Sequence, residues 1–174
     1  MGAEPSAKEY KDVSLYIVLN RTVIMKTFFY TFANNQLSPS SFGDADTSAE
    51  HVRLGIGVRY LVGDNARENH EIIGMSSDLD VWVHIKDLPS CHVIASVPVQ
   101  CDTPLDDKRA YREMIRKVTR HGGVLCRQYS QNTIRSAGLS KRKVDMIAFQ
   151  VRNIERTSVP GQVITRGDAM VFSV

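Results

Sequence analysis

Short runs of β-branched and aromatic residues alternate with polar turns through most of the chain, and a single long helical period interrupts them late. Residues 13–19 and 22–32 are two apolar runs flanking Asn20-Arg21, the pattern of a strand pair with a tight turn. Residues 34–50 (NNQLSPSSFGDADTSAE) predict a flexible loop, about the upper length for a structureless connection. A strand over 51–62 follows, in which Gly55 and Gly57 mark a bulge or close backbone packing. Gly63-Asp64-Asn65 then forms a turn, with Asn65 placed to cap a short helix from 66 to about 74.

Along residues 80–85 the side chains alternate between two faces: Val81, Val83 and Ile85 on one, Trp82 and His84 on the other. Asp87-Leu88-Pro89-Ser90 has turn chemistry, and residues 92–97 form the returning strand. The period then changes. Over a helix from 105 to about 129, Ala110, Tyr111, Met114, Ile115, Val118, Leu125 and Cys126 share one broad face at about 100° per residue. Arg109, Arg116, Arg120 and Arg127 line the opposite side, with Arg112 slightly off it. Gly122-Gly123 weakens this helix by roughly 1–2 kcal/mol and either kinks it or lets another element come close. Residues 131–143 form a polar connection ending in Lys141-Arg142-Lys143, followed by a strand over 144–154, a turn over 157–163 and a last strand. The implied class is α+β: an antiparallel, bent sheet packed on one long helix plus a short one.

Charge sharpens the picture. The net charge is only +3, but residues 1–100 hold 8 Lys and Arg against 12 Asp and Glu, while residues 101–174 hold 14 against 7. The halves carry −4 and +7, so the second half favours an anionic partner unless the two simply neutralise each other across the fold. Arginine, more than lysine, is suited to planar contacts with phosphate. The bland alternative for the helix stripe is a solvated basic face.

Three cysteines, Cys91, Cys101 and Cys126, form no metal-ligand spacing, and their odd number argues against a disulfide scaffold. A reducing, cytoplasmic setting is the expectation. The apolar stretch 13–32 is broken by Asn20, Arg21 and Lys26, so no membrane span is expected, and the acidic first twelve residues do not suit a signal peptide.

Asn65-Ala66-Arg67-Glu68-Asn69, then Asp80-Val81-Trp82-Val83-His84-Ile85-Lys86-Asp87-Leu88-Pro89, then His92-Val93-Ile94 resembles the signature of the NFACT-R domain. That is the RNA-binding domain of ribosome-quality-control and fibronectin-binding-type proteins, also found alone in small eukaryotic proteins. The resemblance runs over residues 25–174, leaving 1–24 as an N-terminal extension with an extra strand and 34–50 as an insertion. It implies a non-catalytic RNA-binding domain in a tRNA, rRNA or ribosome-associated setting, with no cofactor. Three departures stand out: Asp64 where the family has Arg, His70 where it has Asp, and no glycine in Pro89-Ser90-Cys91-His92.

His84, Asp87, Cys91 and His92 are the catalytic candidates, but neighbouring strand residues point to opposite faces, which separates Cys91 from His92. Binding is the stronger expectation, with RNA ahead of DNA. Its candidate residues are Arg67, His84, Lys86, His92, Arg109, Arg112, Arg116, Arg120, Arg127, Lys141, Arg142 and Lys143. Phosphate contacts would dominate. The alternative is a structural or adaptor module for protein contacts, favoured by the acidic first half and by Asp64.

Overall fold

The computed structural model describes residues 15–19, 23–33, 36–39, 56–96 and 108–174. It is an α+β domain built on an antiparallel sheet. The strands are β1 (Leu15–Leu19), β2 (Val23–Ala33), β3 (Gln36–Pro39), β4 (Ile56–Gly63), β5 (Val81–Ile85), β6 (His92–Ser96), β7 (Asp145–Gln150) and β10 (Met170–Ser173). Their order is β1-β2-β4-β6-β5-β7-β10, with β3 also paired to β2. Between them lie α1 (Ala66–Gly74), α2 (Lys108–Tyr129) and α3 (Gln131–Ser136). A separate hairpin, β8 (Ile154–Arg156) with β9 (Val163–Thr165), stands apart from the main sheet.

Period-two alternation divides the core into two layers. Val81, Val83 and Ile85 turn to the α2 side, where Met114, Val118, Leu125 and Cys126 meet Phe28, Tyr60 and Val93. Trp82 turns the other way and joins Leu61, Ile94 and Phe149 beneath Ile72 and Ile73 of α1. Each fully buried aliphatic side chain of this kind contributes roughly 1.5–3 kcal/mol. Both inner glycines of α2 serve close approach rather than a kink. A Cβ on Gly122 would lie 3.2 Å from Val83 Cγ2, and one on Gly123 only 2.6 Å from the Phe172 ring. The helix runs unbroken past them.

Several expectations need correction. Gln36–Pro39, expected within a loop, pairs with β2 as a strand. Gly57 marks no close packing, since a Cβ there would meet nothing within 4 Å, and it keeps register opposite Thr31. Gln131–Ser136, expected as part of a polar connection, is a helix whose Ile134 is buried. The strand expected over 144–154 stops at Gln150, where a 3₁₀ turn over Val151–Asn153 redirects the chain into the separate hairpin. That break is legible only in three dimensions: the Val151 and Arg152 amides leave the ladder to donate to the carbonyls of Asp80 and Asp78. The expected helix start at 105–107 and the loop over 40–50 lie outside the described residues.

Candidate nucleic-acid interface

The sheet separates the sequence-predicted residues into two groups. On one side, Arg109, Arg112, Arg116 and Arg120 are exposed along the outer face of α2 while Met114 and Val118 anchor its inner face. At 1.5 Å rise per residue they span about 16 Å. Among the described residues, Arg112, Arg116 and Arg120 pair with no carboxylate. The acidic residue of that helix, Glu113, is engaged by Lys117 at 3.6 Å. Tyr111, expected on the inner face, sits at its margin and is 38% exposed.

Arg127 behaves differently from the rest of its stripe. Its guanidinium donates to the Val174 carbonyl at 2.6 Å and to the Arg142 carbonyl at 3.0 Å. It clasps Val174, just past β10, and the loop between α3 and β7 to the end of α2, so it is a structural brace. Lys141, Arg142 and Lys143 all project into solvent from that loop.

Across the sheet, a cleft of about 1320 Å³ opens between the start of α1, the β5–β6 turn, α3 and the β8–β9 hairpin. His84 stacks flat against Trp82 at 5.2 Å, and the His92 ring meets both edge-on at 5.1 Å. Burial lowers the pKa of His84, and burial together with the neighbouring His84 lowers that of His92 to about 3. His92 is only 2% exposed. Both imidazoles are therefore neutral near pH 7 and offer phosphate no charge. Arg67 is exposed but paired with Glu71 at 3.1 Å, and Lys86 lies 4.0 Å from Asp87.

The α1 N-terminus is also closed to anions. Asn65 Oδ1 accepts from the Arg67 and Glu68 amides, while the Glu68 carboxylate accepts from the Asp64 amide and from Asn65 Nδ2. This reciprocal cap uses the donors a phosphate would need and adds a negative charge over them. Gly161, at φ +80, packs onto Ala66, where a Cβ would come within 2.9 Å of the Ala66 Cα. Asp64 in turn is neutralised by Lys26 at 2.5 Å, and the same ammonium lies over the Tyr129 ring at 4.5 Å. The negative charge of Asp64 is thus largely compensated locally.

The residues that sequence reasoning passed over are the braces of this motif. Gly63 and Asn69 interlock: a Cβ on Gly63 would meet the Asn69 side chain at 2.6 Å and its backbone nitrogen at 2.7 Å. Asn69 Oδ1 accepts from the His92 amide, and its Nδ2 donates to the Ser90 carbonyl. Asp80, 6% exposed, accepts from the Ser77 amide and the Ser96 hydroxyl. In the β5–β6 turn the positive φ falls on Asp87 (59°), and Ser90 Oγ accepts from the Ile85 amide. Ser90 is therefore not held in a strained conformation. A glycine followed six residues later by asparagine was the available signal for this interlock.

Cys91 and His92 do face apart. Cys91 packs in the α2-side core, its thiol and that of Cys126 each donating to the other's carbonyl at 3.4 Å. Among the described residues, no group of three or more His, Cys, Asp and Glu side chains is placed to hold a metal ion. No described helix is long and apolar enough to cross a membrane.

No protein-family model and no curated protein matches this chain. Among solved structures, the C-terminal part of the fibronectin/fibrinogen-binding protein from Streptococcus suis is similar to it. The TM-score is 0.49 and the identity 21%, over 67% of this chain and 41% of that one. The likeness thus spans less than half of that structure.

Proposed function

We propose that this domain binds RNA through the outer face of α2, without catalysing a reaction on it, and that it is an NFACT-R-type domain working in a tRNA- or ribosome-associated setting. One observation carries the reading: Arg112, Arg116 and Arg120 stand exposed on one helix face with no carboxylate partner among the described residues. Solubility alone is served equally well by pairs such as Glu113 with Lys117 on the same helix. Unpaired guanidinium groups in a row instead suit the oxygens of a polyanion backbone. The motif resemblance favours RNA over DNA.

Contacts of this kind are set by phosphate, so binding is steeply salt-dependent and weakly sequence-specific. Three neutralised phosphates on a single strand give a slope of log K against log salt of about −2. The test is fluorescence anisotropy on structured RNA and on duplex DNA across a salt series. Reversing Arg112, Arg116 and Arg120 to Glu is expected to weaken RNA binding about 100-fold and flatten the slope. Full-strength binding by that variant overturns the choice of face. Wild-type protein that binds neither ligand at physiological salt would leave the adaptor reading in its place.

A further inference from the structure

We infer that the groove beside the arginine face accepts an unpaired nucleobase, so the preferred ligand is single-stranded or looped RNA rather than continuous duplex. This rests on the proposal that α2 binds phosphate, and adds to it the conformation of the ligand. The groove, about 530 Å³, runs between the first half of α2 and the β7–β10 edge. Leu79, Tyr111 and Met170 line it and remain 50%, 38% and 42% exposed. Together with Ile115 and Phe149 they give the groove an apolar wall. Arg112 and Arg116 line the same groove. Phosphates held by those two arginines bring the attached base to the apolar wall, where the Tyr111 ring offers a stacking surface.

A base already stacked within a duplex cannot enter, whereas one splayed from a loop can. Asp168 also lines the groove. Its carboxylate repels a phosphate that strays inside and can accept from N–H groups on a base edge, which orders the ligand as base inside and backbone outside. An apolar helix of a protein partner would use the walls but leave the two arginines without counter-charge.

The test compares wild type, Tyr111→Ala, Tyr111→Phe and the Arg112→Glu/Arg116→Glu double variant. Each is titrated by anisotropy into a labelled RNA of about 12 nucleotides, single-stranded and as a perfect duplex, the length covering roughly one module's footprint. Wild type is expected to prefer the single strand. Tyr111→Ala should weaken that binding about tenfold and leave the duplex unchanged, while Tyr111→Phe keeps the stack and the affinity. An unchanged Tyr111→Ala affinity beside an impaired arginine variant overturns the base site alone. An unimpaired arginine variant overturns the phosphate reading beneath it. A wild-type dimer in light scattering that Tyr111→Ala dissociates would assign the groove to a second copy, and also overturns the inference.

Discussion

The two faces of the sheet use the same residue types for different ends. On the α1 side, several polar groups of the segment 63–96 are spent within the fold, while Trp82 Nε1 and His92 Nδ1 lie buried without a partner among the described residues. Asn69 bridges the His92 amide and the Ser90 carbonyl, and Asp80 holds Ser77 and Ser96. Asn65 and Glu68 cap their own helix. On the α2 side, arginines 112, 116 and 120 face solvent with no acidic partner among the described residues. These polar groups of residues 63–96 therefore account for architecture. The less distinctive stripe of arginines carries the proposed binding. A residue pattern can be specific for a fold because it builds the fold, with the ligand met elsewhere.

The sharpest way to break this contrast is Gly63→Ala. The new methyl would collide with the backbone of Asn69 and push α1 off β4, at an expected cost of about 3 kcal/mol in denaturant unfolding. RNA affinity of the fraction still folded should stay within twofold. If stability holds but binding falls, the α1 side belongs to the interface after all. Asn69→Ala is expected to cost about 2 kcal/mol, because it leaves the buried His92 amide without its acceptor.

Arg127 sharpens the contrast from within α2. Arg127→Ala removes two charge-assisted hydrogen bonds to the carbonyls of Val174 and Arg142, and is expected to destabilise by about 1.5 kcal/mol. Its RNA affinity should change less than twofold. A loss comparable to that of Arg116→Ala would return Arg127 to the binding stripe.

The smallest effect is common to both faces. His92 on one side and His121 on the other, the latter against the Tyr30 and Tyr60 rings, are lowered by burial to about 3 and about 4. Their folded pKa values lie below the unfolded value, so the unfolded chain takes up protons first as the pH drops. Stability is full above about pH 6.5 and falls towards the folded pKa values, each histidine costing about 1 kcal/mol between pH 6 and pH 5. Urea midpoints measured at both pH values should show it, and His121→Phe should remove about 1 kcal/mol of the change, leaving the share of His92 and His84. An unchanged slope would mean that His121 titrates normally in the folded protein.

Side-chain alternation over 80–85 and the helical period over 105–129 were sufficient to put Val83 and Trp82 on opposite faces, and Arg112, Arg116 and Arg120 opposite Met114 and Val118; which helix covers which face was not legible. Both patterns are local repeats, set by two residues per strand pleat and 3.6 per helical turn, and so can be read from one dimension. The Asn65 cap is similarly local. What tertiary structure alone decided was the fate of individual polar groups. Arg127 sits on the same helical line as Arg120, yet one reaches the Val174 carbonyl and the other reaches water. Lys26 meets Asp64 across 38 positions, and the end of β7 is set by carbonyls at Asp80 and Asp78. Periodicity says which way a side chain points. Only the packing of distant elements says what it finds there.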